Sequence, residues 1–120
     1  MPKVMVIEDD ANMFSLLQML LEFEGYEVVL WEGREEIQQI VDAICQEKPE
    51  LILMDVHLRH LNGFDVLRTL RNEPELDGVR VLIASGVDMT ERSHQEGVDG
   101  FILKPFMPDE LISKIKLTIG

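Results

Sequence analysis

The chain has 120 residues, enough for one compact domain with a single buried interior and too few for two. Its 46% hydrophobic and 28% charged residues are those of an ordinary globule rather than of a disordered chain. A formal net charge of -12, from 23 acidic against 11 basic residues, argues against direct binding to nucleic acid or to an anionic membrane surface.

Five short apolar runs recur in chain order: Val4 to Ile7, Val28 to Leu30, Leu51 to Met54, Val81 to Ala84 and Phe101 to Leu103. Their hydrophobicity is continuous rather than alternating, most clearly in the first, third and fourth runs, which predicts strands covered on both faces. Between them the apolar spacing is helical: Met13, Leu16, Leu17, Leu20 and Leu21, then Ile37, Ile40, Val41 and Ile44. Phe64, Leu67 and Leu70 mark a third helix after Asn62-Gly63, and Leu111, Ile112, Ile115 and Ile119 a last one after Pro108-Asp109-Glu110, running almost to Gly120. Gly25 is placed to end the first helix. The segment 88–97 has no apolar residue between Thr90 and Glu96 and reads either as a short helix or as a loop. Met5, Met13, Met19 and Met54 are expected to fill the core, and Cys45, the one cysteine, reads as a core or boundary residue suited to a reducing cytoplasm. The N-terminal apolar run is too short for a signal peptide, and no segment approaches the roughly 20 apolar residues of a membrane span.

Strands alternating with helices predict right-handed crossovers and a parallel sheet with helices on both sides. Sites in such sheets form at the carboxyl ends of the strands. There the first strand runs into Glu8-Asp9-Asp10, the third into Asp55, the fourth into Ser85-Gly86 and the fifth into Lys104-Pro105. Gathered carboxylates repel one another, and a hard divalent cation such as Mg²⁺ offsets that repulsion with oxygen ligands while leaving positions for phosphate oxygens. Beside such a cation and Lys104, the Asp55 carboxylate can act as a nucleophile toward phosphorus. Ser85 offers a hydroxyl to a phosphoryl oxygen, and Gly86 leaves room for the group. Each residue has a plainer reading: a helix N-cap for Asp9 or Asp10, a turn residue for Asp55, a strand-end serine, a surface lysine. It is their joint placement at four strand ends that favours chemistry.

Val6-Ile7-Glu8-Asp9-Asp10, Leu51-Ile52-Leu53-Met54-Asp55, Asn62-Gly63, Ile83-Ala84-Ser85-Gly86 and Phe101-Ile102-Leu103-Lys104-Pro105-Phe106 resemble, in this order, the receiver domains of bacterial two-component response regulators. The resemblance covers nearly the whole chain, 1–120 as one domain, and implies a flavodoxin-like (βα)5 sandwich with strand order 2-1-3-4-5. It implies Asp55 as phosphoacceptor and Mg²⁺ held by Asp9 and Asp55, by the backbone carbonyl of His57, and by Glu8 largely through water. Asp10 is left to cap a helix. Ser85 would hydrogen-bond the phosphoryl group, Lys104 would pair with it, the bond to Pro105 would be cis, and Phe101 would be the aromatic switch. Implied partners are a sensor histidine kinase or a histidine phosphotransfer protein, with a homodimer through the face made by the fourth helix, fifth strand and fifth helix. Such a protein is cytoplasmic and not an enzyme in the metabolic sense, since it catalyses only its own phosphorylation and dephosphorylation.

Ser85 and Phe101 stand 16 positions apart, shorter than the family leads one to expect, so the fourth helix is expected to be clipped or disordered. Arg59 stands where many receivers carry proline, Asn62 stands where an acid is frequent, and His57 and Val87 occupy positions that tune the phosphoryl lifetime. His60 and His94 have no partners at metal-ligand spacing. A degenerate receiver that serves as an interaction module without phosphorylation is the alternative. An electron carrier is disfavoured by the three acids where a flavin phosphate would sit, and an aspartate-nucleophile phosphatase by His57 in place of a second aspartate.

Overall fold

The computed structural model describes residues 1–32 and 36–119. In chain order it contains β1 (Lys3–Ile7), α1 (Ala11–Phe23), β2 (Glu27–Trp31), α2 (Ile37–Glu47), β3 (Leu51–Asp55), α3 (Gly63–Arg71), a 3-10 turn (Pro74–Leu76), β4 (Arg80–Ser85), α4 (Thr90–Glu96), β5 (Gly100–Leu103) and α5 (Pro108–Ile119). The strands form one sheet in the order β2-β1-β3-β4-β5, and every neighbouring pair is parallel. Gly120 lies outside the described residues.

Alternation along the strands divides the interior in two. Met5, Ile7, Ile52, Met54, Val81 and Ile83 pack with Ile40, Val41 and Ile44 of α2 and Phe64, Leu67 and Leu70 of α3. Val4, Val6, Leu51, Leu53, Leu82 and Ala84 face the other way, against Leu17 and Leu21 of α1 and Leu111, Ile112 and Ile115 of α5. Both faces are dry, which is why the central strands are apolar at every position.

Local chemistry sets the helix ends. The Asp10 carboxylate accepts the N–H groups of Asn12 (2.9 Å) and Met13 (3.1 Å), two of the donors a helix start leaves free. Asn62 does the same for Phe64 at 2.8 Å. Gly25 follows α1 with φ of +92°, a left-handed conformation that glycine adopts without penalty. The last helix begins at Pro108, earlier than its apolar spacing marks, because proline suits a first helical position where no N–H is needed.

One expectation about α1 is corrected, and of the two alternatives for the segment after β4 one is met. Met19 is 70% exposed and Leu16 52% exposed, so neither fills the core; α1 buries Leu17 and Leu21. At 100° per residue, Leu16 and Met19 lie about 100° and 200° around the helix from Leu17, beyond the stripe that can touch the sheet. The segment after β4 is an ordered helix of seven residues, so of the two expected outcomes it is the clipped one. Ser93 is its buried residue. Polar contacts supply the anchoring that apolar spacing lacks: Glu96 is bound by Arg68 of α3 and by Arg92, whose guanidinium stands 4.8 Å from the Phe64 ring centre.

Candidate functional site

The sheet changes direction between β1 and β3: from β1 the chain first adds β2 on one side and then β3 on the other. At such a point the two connections leave in opposite directions and open a crevice beyond the carboxyl ends of the strands. Glu8 and Asp9 leave β1 into this crevice, and Asp55 is the last residue of β3.

Lys104, just after β5, reaches across to both acids. Its Nζ lies 2.8 Å from Asp55 Oδ2 and 3.3 Å from Glu8 Oε2. Asp55 Oδ1 accepts the His57 N–H at 3.1 Å, so both of its oxygens are oriented. Glu8 is buried, with Oε1 accepting the Asp10 N–H at 3.4 Å. Burial, with the Asp55 charge added, raises its carboxyl to about 7, even though Lys104 pulls the other way. Burial would by itself lower the Lys104 ammonium, but its hydrogen bond and attraction to Asp55, and then to Glu8, outweigh this and raise it. The Lys104–Pro105 peptide is cis.

The remaining site residues share the same rim with different contacts. Asp9 is directed to the loop after β3, where its Oδ2 accepts the Arg59 N–H at 2.7 Å and lies 3.7 Å from Arg59 Nε. Ser85 is fully buried, and its Oγ accepts the Val87 N–H at 3.1 Å rather than contacting Asp55. The Ser85 carbonyl takes the Lys104 N–H at 2.7 Å, which ties the ends of β4 and β5 together. Gly86 has open space where a side chain would begin. Phe101 is half-buried against the α2 and α3 side of the core.

Glu8, Asp9 and Asp55 are hard oxygen donors at one crevice, and Mg²⁺ takes one or two carboxylates with water and phosphate oxygens for the rest, so the donor set fits that ion. They do not form a closed cage: among the described residues no three His, Cys, Asp or Glu side chains are gathered as metal ligands. Asp9 faces Arg59 while Glu8 and Asp55 share Lys104.

Two contacts were not expected. Gly63, at the start of α3, packs so tightly on the end of β3 that a Cβ there would lie 2.7 Å from the Asp55 carbonyl oxygen and 3.1 Å from Val56 Cα. The adjacent Asn62-Gly63 motif is visible in sequence, but its reason, a close approach of two backbones, is not. The Arg59 contact to Asp9 joins residues 50 positions apart, with no sequence signal beyond the absence of proline.

The sequence model of the response regulator receiver domain matches residues 4–116. The chain belongs to the response regulator receiver family. Over 115 residues it is 30% identical to the DNA-binding response regulator MtrA of Mycolicibacterium paratuberculosis, covering 95% of this chain and 49% of that protein. The chain thus spans about half the length of the curated relatives first matched. The polar-differentiation response regulator DivK of Brucella anthropi is 32% identical over 124 residues, covering 100% of this chain and 98% of that one. In fold, the receiver domain of the sensor histidine kinase PA1611 from Pseudomonas aeruginosa superposes with a TM-score of 0.85 at 23% identity, over 99% of this chain and 98% of that one. That domain has a magnesium ion coordinated in its active site cleft. The chain is therefore a receiver domain of two-component signalling, a class of switch rather than of metabolic enzyme. Among the described residues no helix is long and apolar enough to cross a membrane.

Proposed function

We propose that this receiver, acting as one unit over residues 1–120, takes a phosphoryl group from a phosphohistidine onto Asp55. A carboxylate oxygen of Asp55 forms the new O–P bond while the N–P bond of the donor breaks and its electron pair returns to the imidazole. Mg²⁺ held by Asp9, Asp55 and the His57 carbonyl, with Glu8 acting through water, would neutralise charge on the transferring oxygens. Lys104 orients the Asp55 carboxylate and offers its ammonium to a phosphoryl oxygen. The Ser85 hydroxyl donates to another once it leaves Val87, and Phe101 turns inward as that space opens. The donor is a sensor histidine kinase or a phosphotransfer protein. The acidic surface makes nucleic acid and membrane poor partners for this segment, which suits a cytoplasmic switch. The face of α4, β5 and α5 is where a homodimer would form, and no outside substrate is turned over.

The observation that carries this reading is the Lys104 ammonium bridging Glu8 and Asp55 at the β1/β3 crevice. It supplies a fixed cation beside an oriented carboxylate, as in-line transfer of a charged group requires. Incubation with Mg²⁺ and acetyl phosphate, followed by intact mass, tests it. One phosphoryl adduct that needs Mg²⁺ and is absent from Asp55→Asn is expected. No adduct, or an adduct that persists in Asp55→Asn, overturns the assignment and favours an interaction module that works without phosphate.

A further inference from the structure

Asp9 Oδ2 is held by a single residue through two atoms: the Arg59 main-chain N–H at 2.7 Å and its Nε at 3.7 Å. The Asp9 side chain is only 12% exposed, whereas that of Arg59 is 67% exposed. The carboxylate is thus fixed at the rim, while the guanidinium lies over it from the solvent side.

A carboxylate oxygen that accepts a short N–H bond and sits beside a guanidinium offers a divalent ion one remaining lone pair in a field made less negative by the neighbouring cation. A cation approaching Asp9 must either displace these donors from Oδ2 or bind the other oxygen close to a positive charge. We propose that Arg59 is an internal cation that competes with Mg²⁺ for Asp9 and sets the metal affinity of this receiver below what its acidic residues alone would give. The inference rests on the metal assignment made above and adds a determinant of its strength. Because the guanidinium can move into water without leaving a buried charge, the competition is moderate, about three- to tenfold in the dissociation constant. The main-chain N–H belongs to the loop after β3, so capture of Mg²⁺ by Asp9 also releases that loop.

The test is a Mg²⁺ titration of the unphosphorylated protein by calorimetry and amide NMR, comparing wild type with Arg59→Ala and Arg59→Lys. Arg59→Ala keeps the main-chain donor and removes only the guanidinium, on an exposed side chain whose loss leaves the core intact. Expected are a dissociation constant about three- to tenfold lower for Arg59→Ala, one near wild type for Arg59→Lys, and a displacement of the wild-type Arg59 amide signal in step with binding. Equal or weaker affinity in Arg59→Ala overturns the proposal while leaving the metal assignment standing. Absence of Mg²⁺ binding in all three proteins overturns both.

Discussion

Glu8 is held between burial, which favours its neutral form, and Lys104, which favours its charged one. Burial prevails, and the carboxyl is raised from 4.5 to about 7. A carboxyl raised on folding binds its proton more tightly in the native state, so its favourable contribution is complete below pH 4.5 and is lost as pH rises through about 7. Relative to Glu8→Gln, whose amide does not titrate, the metal-free wild type is expected to lose stability between pH 5 and pH 7.5. Thermal unfolding of both proteins across that range checks the sign: parallel curves would show that Glu8 is not raised. Lys104 answers to the same charge. Replacing it with methionine leaves the Asp55 carboxylate without its ammonium partner, and Glu8 likewise once it ionises. Lys104→Met should therefore cost about 2–3 kcal/mol at pH 8 and less at pH 5, where Glu8 carries its proton, as denaturant midpoints would report.

Elements were readable from the sequence where burial imposes a period. The runs at β1, β3 and β4 are apolar throughout because two helical layers cover the sheet, and Asp10, an acid directly before a helical apolar pattern, is a helix cap. Asp10→Ala should cost about 1 kcal/mol of unfolding free energy and act through α1. What period does not encode was missed or misplaced. Met19 and Leu16 extend the apolar run of α1 but point away from the sheet, since composition alone does not say how wide a contact stripe is. Arg59 meets Asp9 only through tertiary folding. The strand-end acids, serine and lysine were legible as a set because parallel topology sends every strand's carboxyl end to one rim, yet sequence could not say that Ser85 turns to Val87. Gly63 joins both scales. An added methyl would meet the Asp55 carbonyl oxygen and Val56 Cα, which are backbone atoms that cannot rotate away. Gly63→Ala is expected to destabilise by about 1–3 kcal/mol and to shift the amide signals of Asp55 through His57, whereas Gly78→Ala, where space is open, should shift none of them.

Across the whole molecule, charge acts in two opposite senses. The net charge of -12 makes the folded state repel itself, and salt screens that repulsion, so added salt should stabilise the sheet and its packed helices. The α4 segment depends on attraction instead. It buries one serine, and beside the Arg92 contact with the Phe64 ring its hold on α3 runs through Glu96, which is hydrogen-bonded by Arg68 and then Arg92, and whose carboxyl these two hold down at about 2. A lowered carboxyl stabilises fully above its unfolded value and loses that contribution progressively as pH falls from 4.5 through about 2, so the clamp is fully formed at neutral pH. Both arginines are substantially exposed, and salt weakens attraction between such groups. Raising NaCl from 0.05 to 0.5 M should therefore slow amide hydrogen exchange in β1, β3 and β4 while speeding it in α4 by about two- to fivefold. Glu96→Gln should speed α4 exchange at low salt and leave it insensitive to further salt, with the strands unchanged. If α4 instead slows with the strands, it is packing rather than the Arg68–Glu96–Arg92 cluster that holds this short helix in place.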